Sequence, residues 1–534
     1  MKHKHLIMLL FAICASISTF SQPIIRSQKI IGSDYVDQLQ AMCLTKDGGL
    51  ILGGYSESDI SGDKTENSRG VWDYWLVKLD SMGVIEWDKT IGGSSEDYLT
   101  CLQKTSDGGY IVGGYSKSNI SGDKTTKRKG EEDYWIVKLD SMGNIQWDKD
   151  FGGSTTDDLY SIQQTKDGGY ILGGTSYSNI SGNKSENSRG GSDYWIIKLD
   201  NSGNIQCDKT IGANQQDNFS VLQQTNDEGY IVGGHSNSNK SGEKSENAKG
   251  EWDYWIIKLD NSGNIQWDKT IGGYNTDFLS ALQVTIDDGY ILGGYSNSAA
   301  TGDKTEIYRG LYDYWIVKLN NQGSIQWDKT IGGIDWDRLY SVEQTSDTGY
   351  IISGYSGSNI SGEKTEDNRG AWYDYWVVKL DKFHNIQWDK TVGGNDDDRL
   401  IITKELEKNH YILGGYSKSE ISGDKTKSTK GDSDFWLVRL NYKPATDVLP
   451  TSNMDGLVIA GNKDFTTYPN PAKDILHVQT TGKATVTLTD QSGKILVTKT
   501  ISNKGEINVS HLPAGLYYVK NTTTGEVQKI VITK

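Results

Sequence analysis

The stretch Asp73–Leu79, which reads DYWLVKL, decides the fold of this chain because near-copies of it return about every 60 residues. The tripeptide at its start marks seven units, at Asp73, Asp133, Asp193, Asp253, Asp313, Asp374 and, with Phe in place of Tyr, Asp434. The first five units keep register without an insertion, and one residue is gained before the sixth. Repetition at a fixed period of this length indicates that each copy is one supersecondary unit of a repeat architecture.

The second unit shows how one copy is expected to fold. Four strands are predicted in it, at Thr100–Thr105, Tyr110–Tyr115, Asp133–Leu139 and Asn144–Lys149. An Asp-Gly-Gly turn joins the first pair, a Ser-Met-Gly turn joins the second pair, and the polar loop Ser116–Glu132 lies between the pairs. Aromatic and β-branched runs bounded by such turns are typical of strands and hairpins. The chain has no proline between Ile24 and Lys443 and no sustained 3.6-residue period, so we expect sheet and little helix.

Four strands in each of seven units predict an all-β fold, a seven-bladed β-propeller over residues 22–443. The seventh unit ends after its third strand, Asp434–Leu440, whereas an orphan fourth strand, Gln28–Gly32, stands at the start of the chain in register with Asp88–Gly92. We expect this N-terminal strand to complete the last blade and close the ring, which removes exposed sheet edges. An open β-solenoid is the alternative. In a closed ring we expect most tryptophans to pack between blades rather than to bind ligand.

Residues 1–21 have the pattern of a secretory signal peptide. Lys2 and Lys4 precede the apolar stretch Leu6–Ala15, and small residues follow it. Cys14 suggests a lipoprotein signal instead, but Ile13 stands where such signals need a small residue. No later stretch has the roughly 18 unbroken apolar residues of a membrane span. We therefore expect an exported protein that does not span the membrane.

The formal net charge of −15 limits the partners of the protein. Phosphate binding requires clustered Lys and Arg, so an acidic repeat region is not expected to bind nucleic acid. Cys43, Cys101 and Cys207 follow the predicted signal peptide. They are odd in number and occupy different positions of the repeat, so we expect neither a disulfide framework nor a cysteine-bound metal.

A linker at residues 444–461 leads to a C-terminal segment, residues 462–534, of different character. In order, it contains Tyr468-Pro469-Asn470-Pro471, Val486–Leu496, Leu512–Val519 and a closing Lys529–Lys534. These motifs and their order resemble the C-terminal sorting domain of proteins exported by the type IX secretion system. An ordinary adhesive β-sandwich is the alternative. The repeats resemble the tryptophan-rich repeats found in front of such domains in predicted surface proteins, which implies no activity.

The resemblance has consequences for fold, partner and location. It implies a small antiparallel β-sandwich whose sorting signal includes Pro469, Asn470, Pro471, Gly515, Tyr517 and Lys534. It also implies a type IX translocon in the outer membrane of a Gram-negative bacterium as a partner. The product would then be secreted or held at the outer cell surface.

One aspartate recurs on the connector between successive units, at Asp37, Asp97, Asp157, Asp217, Asp277, Asp337 and Asp398. If the strand that follows is innermost, this connector approaches the channel. One interpretation is a ring of carboxylates that holds a ligand or a cation such as Ca²⁺. The other is that each carboxylate turns into its own loop and accepts backbone N–H groups. Repulsion between seven facing carboxylates favours the second interpretation. No other cofactor is indicated.

The long loop between the second and third strands repeats two basic positions. The first position is Lys64, Lys124, Lys184, Lys244, Lys304, Lys364 and Lys425. The second position is Arg69, Lys129, Arg189, Lys249, Arg309, Arg369 and Lys430. These residues form either a repeated ligand pocket or a solvated loop braced by ion pairs to the following aspartate, of which Asp73 is the first example.

Deviations between units are where a unique catalytic site would lie. His235, His384 and His410 fall in different units and at different strand positions. The connectors of units one, six and seven are distinctive through Tyr35, Asp335, Trp336, Arg338, Asp396, Asp397 and Arg399. Paired carboxylates there would suit glycoside chemistry, but nothing in the sequence pairs them.

These patterns favour a secreted or cell-surface, non-catalytic propeller that acts as a multivalent interaction or adhesion module. Seven similar sites would let weak contacts sum to useful avidity, and a glycan is the ligand that we expect. A protein ligand is also compatible with the sequence. The alternatives are a carbohydrate-active lyase or glycosidase with one asymmetric site, or a pure structural spacer.

Overall fold

The computed structural model describes residues 22–443, 465–468, 472–490, 494–523 and 527–533. The predicted signal peptide, the linker at 444–461 and the sorting-signal residues Pro469, Asn470, Pro471 and Lys534 lie outside these ranges. The chain divides into two compact units, residues 1–447 and 448–534. Within the described ranges no helix has the length and apolar character needed to cross a membrane.

Strand β1 (Ile24–Ile31) precedes six complete four-stranded units. Blade one is β2 (Asp37–Leu44), β3 (Leu50–Ser56), β4 (Asp73–Leu79) and β5 (Ile85–Ile91). Blade two is β6 (Asp97–Lys104), β7 (Tyr110–Ser116), β8 (Asp133–Leu139) and β9 (Ile145–Phe151). Blade three is β10 (Asp157–Gln164), β11 (Tyr170–Ser176), β12 (Asp193–Leu199) and β13 (Ile205–Ile211).

The later blades repeat this order. Blade four is β14 (Asp217–Gln224), β15 (Tyr230–Ser236), β16 (Asp253–Leu259) and β17 (Ile265–Ile271). Blade five is β18 (Asp277–Val284), β19 (Tyr290–Ser296), β20 (Asp313–Leu319) and β21 (Ile325–Ile331). Blade six is β22 (Asp337–Gln344), β23 (Tyr350–Ser356), β24 (Asp374–Leu380) and β25 (Ile386–Val392). Blade seven contains β26 (Asp398–Glu407), β27 (His410–Ser417) and β28 (Asp434–Asn441).

The first strands of the blades surround the axis of the ring. Each is in contact with the first strands of both neighbouring blades, in the closed cycle β2, β6, β10, β14, β18, β22, β26 and back to β2. Within each blade the strands are antiparallel and follow chain order outward, so the Trp-Asp-Lys strand lies outermost. This arrangement is a closed β-propeller.

Blade seven is completed by the N-terminal strand. β1 pairs antiparallel with β28, and Gln28 lies opposite Val438 just as Asp88 of β5 lies opposite Val77 of β4. The prediction of a seven-bladed propeller closed by an N-terminal strand is therefore confirmed, and the solenoid alternative was wrong. Without β1, the edge of β28 would have no partner in this sheet.

The apolar core is divided among the seven interfaces between blades. Each interface holds one cluster of buried side chains; that between blades one and two contains Tyr74 and Leu76 together with Trp135 and Val137. The tryptophan of each Asp-Tyr-Trp or Asp-Phe-Trp motif is fully buried, at Trp75, Trp135, Trp195, Trp255, Trp315, Trp376 and Trp436. Truncating a tryptophan in such a core to alanine typically costs about 3–5 kcal/mol.

A hydrogen bond crosses six of these interfaces. The hydroxyl of Tyr74 donates to the backbone carbonyl of Trp135 in the next blade (3.0 Å). The same bond is made by Tyr134, Tyr194, Tyr254, Tyr314 and Tyr375, at 3.1–3.2 Å. Phe435 has no hydroxyl, and its ring instead packs against Trp75 at the interface between blades seven and one.

Two repeated glycines are required by close approach. A Cβ on Gly92 would lie 1.7 Å from the Asp73 carboxylate, which occupies the space beside it. A Cβ on Gly174 would lie 2.0 Å from the carbonyl oxygen of Asp158 on the innermost strand. Each innermost strand carries a bulge just after this contact, as between Leu159 and Ser161, which brings its backbone towards the second strand.

The C-terminal unit is a five-stranded sheet. Its strands are β29 (Phe465–Tyr468), β30 (Ile475–Thr489), β31 (Ile495–Asn508), β32 (Gly515–Asn521) and β33 (Val527–Ile532). The long strand β30 pairs with β31 on one edge, and with β29 and then β32 along the other. Side chains from all five strands, such as Phe465, Leu476 and Ile530, form one core. The unit is thus one continuous sheet folded around its core rather than two separate sheets.

Removing β1 tests the ring closure. A variant that begins at Asp34 leaves three strands in blade seven and an unpaired edge on β28, so it should associate or aggregate. Light scattering coupled to size-exclusion chromatography would measure this, with a variant that begins at Gln22 as the matched control. A monomeric protein with the control's melting temperature would contradict the role assigned to β1.

The inter-blade hydroxyl bond is tested by Tyr254→Phe. We expect the free energy of unfolding to fall by about 1 kcal/mol, because a buried hydrogen bond is lost without a change of shape. Urea unfolding measures the effect, and Tyr274→Phe is the control because the Tyr274 side chain is 70% exposed. Equal stability of the two variants would show that the bond contributes nothing.

Candidate functional site at the channel mouth

The recurring connector aspartates are buried inside their own loops. Asp37 and its six equivalents are fully buried. Each accepts a hydrogen bond from the backbone N–H four residues earlier, such as Gly93 to Asp97 (2.6 Å) and Gly333 to Asp337 (2.7 Å). Burial is the main cause that raises the pKa of Asp37 and Asp337 to about 7. This geometry is that of the loop-bracing interpretation, and an open carboxylate ring at the channel is not formed.

The first set of loop lysines belongs to the core. Lys64 and its six equivalents are at most 3% exposed. Their ammonium groups bond within the blade, as in Lys184 to the Ser176 hydroxyl (2.7 Å) and Lys244 to the Thr270 hydroxyl (2.6 Å). Six of them lie over the ring of the motif tryptophan, 5.2–5.9 Å from its centre. Burial lowers the pKa of Lys184 and Lys244 to about 8. A ligand cannot reach these amines.

The second set of basic residues links neighbouring blades. Arg69 pairs with Asp123 of the next loop (3.0 Å). Equivalent pairs are Arg189–Glu243, Lys249–Asp303, Arg309–Glu363, Arg369–Asp424 and Lys430–Asp63. Lys129 differs because Asn183 stands at the acceptor position of the next loop, and it pairs with Asp150 of its own blade (2.8 Å). These ion pairs fit the interpretation of braced loops, and a repeated ligand pocket stays an untested prediction.

The predicted partner of this second set also needs correction. Asp73 does not form an ion pair with the Arg69 guanidinium; it accepts the Arg69 backbone N–H (2.5 Å). The same backbone bond is made to Asp193 and Asp313. The aspartate therefore shapes its loop, while the basic side chain extends to the neighbouring blade.

A cavity of about 390 Å³ lies at the axis and combines polar and aromatic groups. We call it the channel-mouth cavity. Four consecutive blades line it: their innermost strands contribute Asp158, Tyr160, Asn218, Ser220, Phe278, Ser280 and Tyr340, and their second strands contribute His235 and Tyr295. Asp158, Asn218 and Phe278 are the second residues of their strands. They therefore lie near the face that carries the connectors and long loops.

Aromatic rings form a continuous wall along one side of this cavity. The His235 ring is 4.7 Å from Phe278, which is 5.4 Å from Tyr295. Outside the cavity lining, the guanidinium of Arg338 lies over both Tyr295 (5.3 Å) and Trp336 (4.6 Å). Such a wall can bind the flat or apolar face of a ligand.

Two polar atoms of the cavity lining, Asp158 Oδ1 and His235 Nδ1, have no hydrogen-bond partner within the described residues. Burial lowers the pKa of His235 to about 4, so its imidazole is neutral. Burial and the neighbouring Glu132 carboxylate raise the pKa of Asp158. Because these unpaired groups face a cavity, they are available to hydrogen-bond to a ligand.

The acidic residues in the distinctive connectors of units six and seven do not form a carboxylate pair. Asp335 accepts the backbone N–H of Trp336 (2.8 Å), and Asp396 accepts that of Asp397 (2.7 Å). Asp397 pairs with Arg399 (3.0 Å). These contacts shape turns and orient arginine. Tyr35 is 56% exposed.

The three histidines that deviate from the repeat, His235, His384 and His410, lie in three different blades. His235 is the one that lines the cavity. His384 stacks on Trp327 (4.1 Å) at an outer turn, and His410 contacts Glu407 (2.5 Å) at a hairpin end. Among the described residues, no group of three or more His, Cys, Asp or Glu is placed to hold a metal ion.

Sequence reasoning missed Asp158, Asn218, Phe278 and Tyr295. The sequence did contain a signal for the first three, because the residue that follows the invariant connector aspartate varies among the units. The position after the connector aspartate reads Gln38, Tyr98, Asp158, Asn218, Phe278, Arg338 and Arg399 around the ring. Scaffold positions repeat, so a position that holds six residue types in seven units is a candidate for function.

In the C-terminal unit, the structure places two residues of the predicted sorting signal. Gly515 begins β32. Tyr517 is buried, and its hydroxyl donates to the Pro513 carbonyl (2.8 Å). Both residues therefore serve the fold of this unit.

Relatives of the whole chain are distant. Regulatory protein FlaEY of Caulobacter vibrioides is 22% identical over 457 residues, which are 77% of this chain and 47% of that protein. The chain thus spans about half the length of this curated relative. Among solved structures, puromycin hydrolase matches 72% of this chain and 59% of its own, with a TM-score of 0.34 and 9% identity. A cobalt-substituted apocarotenoid oxygenase of Synechocystis matches 71% of this chain and 96% of its own, with a TM-score of 0.33 and 9% identity. Similarity this low supports no statement about activity.

The C-terminal unit has a specific match. Residues 466–533 match the family model of the secretion system C-terminal sorting domain. This range covers the five strands of the unit almost completely. The chain is therefore a β-propeller protein that carries a type IX sorting domain and is directed to the cell surface or the medium.

Proposed function

We propose that the exported propeller is a non-catalytic binding module with one ligand site, the channel-mouth cavity. The observation that carries the proposal is the combination of an aromatic wall with two unpartnered polar atoms, Asp158 Oδ1 and His235 Nδ1, in one cavity. A sugar residue is the ligand class that suits this combination, since its apolar face stacks on rings and its hydroxyls both donate and accept hydrogen bonds.

The proposal gives each chain one ligand site, whereas the repeats suggest a multivalent module with about seven. The basic residues of the long loops are engaged in the core and in ion pairs between blades. The residues that face the axis differ from blade to blade, so they form one asymmetric site rather than seven equal ones. Surface adhesion would then depend on one contact for each chain.

A carbohydrate-active enzyme is the second candidate. Asp158 favours it, because a carboxyl group with a raised pKa is a suitable general acid. The Glu132 carboxylate is close enough to hydrogen-bond to Asp158 and perturb its titration, whereas glycosidases hold their two carboxyl groups about 5–9.5 Å apart. Release of reducing sugar from a bound glycan would favour this candidate, and loss of that release in Asp158→Asn would assign the acid.

Phe278→Ala and Asp158→Ala should weaken glycan binding. We expect at least a tenfold loss of affinity for each variant, which corresponds to about 1.4 kcal/mol, because each removes one wall or one acceptor of the site. Titration calorimetry with the best hit from a glycan array measures affinity and stoichiometry. The matched control is Tyr98→Ala, at the position equivalent to Phe278 on β6 and outside the cavity lining.

Two further outcomes would count against this proposal. A stoichiometry near seven would restore the multivalent interpretation. If the protein binds no glycan on a broad array, the proposal of a sugar ligand is contradicted, and a spacer role or a protein ligand is favoured. Removing Ca²⁺ with a chelator should leave binding unchanged, since the connector aspartates already accept backbone hydrogen bonds.

A further inference from the structure

The junction between blades seven and one, which we call the seam, lacks an aromatic pair found at five other junctions. In those junctions an outer-strand tryptophan contacts the tyrosine that opens the second strand of the next blade. The pairs are Trp87–Tyr110, Trp147–Tyr170, Trp267–Tyr290, Trp327–Tyr350 and Trp388–Tyr411. At the seam the equivalent residues are Ser27 and Leu50. Both large rings are therefore replaced together.

The missing rings leave an open space. Gly143 of blade two would place a Cβ 3.1 Å from the Trp87 ring, whereas the equivalent Gly83 at the seam has no atom within 4 Å of that position. A cavity of about 240 Å³ occupies the seam, and Leu50, Leu79 and Leu437 form part of its lining. An apolar cavity of about 150 Å³ accepts benzene, so this one has room for a bicyclic aromatic ring.

The rim of the seam cavity is basic. Lys29, Lys427 and Arg439 line it, and no acidic residue does. In the other six blades the lysine equivalent to Arg439 pairs with an aspartate of the hairpin turn, as in Lys78–Asp47 and Lys138–Asp107. Arg439 instead donates to the Ser81 carbonyl (3.3 Å).

The acidic partners have been replaced by basic residues in blade seven. Lys408 stands at the position of Asp47, Lys427 at that of Glu66, and Arg26 at that of Glu86. Within residues 22–443, the ion pairs of the other blades therefore have no counterpart at Arg439, Lys29 or Lys427. Uncompensated positive charge beside a cavity that is only partly lined by apolar side chains attracts a negatively charged group.

The junction between blades three and four provides an internal comparison. There Cys207 replaces the tryptophan, but Tyr230 keeps the tyrosine position. The ion pairs Lys198–Asp167 and Lys209–Glu186 are also retained. Loss of the tryptophan alone therefore does not bring the other changes with it. The combination of cavity and basic rim is specific to the seam.

We propose that the seam cavity is a second binding site, for a small aromatic acid. The ring of the ligand would occupy the space that tryptophan fills at other junctions, and its carboxylate would face Arg439, Lys427 and Lys29. The site lies at the outer edge of the propeller. It is distinct from the channel-mouth cavity and does not depend on the function proposed for that cavity.

The test uses indole-3-acetate as the probe and the secreted protein. We expect saturable binding by titration calorimetry that is at least tenfold tighter than for tryptamine, which has the same ring and a positive charge. Ser27→Trp restores the ring found in the other blades, fills the cavity and should lower the affinity at least tenfold. Cys207→Trp is the matched control, since it restores the same ring at another junction and should leave binding unchanged.

A second variant separates loss of binding from loss of folding. Arg439→Ala should reduce the preference for indole-3-acetate over tryptamine and should retain the melting temperature within a few degrees. Absence of saturable binding to the wild-type protein would overturn the proposal. Equal binding by wild type and a folded Ser27→Trp protein would also overturn it, because the ligand would then lie elsewhere.

Discussion

The contact between the tyrosine of one blade and the tryptophan of the next is the interaction on which the rest of this structure depends. Each tryptophan is buried between two sheets, and its indole N–H donates to an aspartate of the neighbouring outer strand, as in Trp75 to Asp88 (3.1 Å). At the closing blade Gln28 of the N-terminal strand takes the place of that aspartate (3.3 Å). The same arrangement therefore joins strands that are adjacent in sequence and strands separated by about 400 residues.

Most of the repeated charged side chains contact other groups of the scaffold itself. The repeated aspartates and lysines are buried near one another and bonded to loop backbone, while the arginines connect loops of adjacent blades. Pairs of this kind contribute little individually when exposed, but they connect the long loops at six of the seven junctions, the exception being Lys129. The two proposed sites use positions that the scaffold does not, namely the variable residues at the axis and the altered residues at the seam.

The two proposed sites arise by different departures from the repeat. At the channel mouth the seven blades present six different residue types at one structural position, so asymmetry is distributed around the ring. At the seam several scaffold residues change together, in blade seven and at Leu50 of blade one. The two ends of the propeller chain meet there, and Phe435 lacks the hydroxyl that makes the inter-blade bond elsewhere. Closure by strand exchange thus creates one interface under constraints different from those of the others.

The sequence by itself determined the repeat, the number of blades, the strand order and the closing role of Gln28–Gly32, because these follow from local patterns and from comparing units along the chain. It also identified the C-terminal sorting domain from ordered motifs. Tertiary structure alone decided that the recurrent lysines and aspartates are buried, since their surroundings include side chains of neighbouring blades. It likewise decided that Asp158, His235, Phe278 and Tyr340 share one cavity, because residues far apart in sequence meet only where the ring closes around its axis.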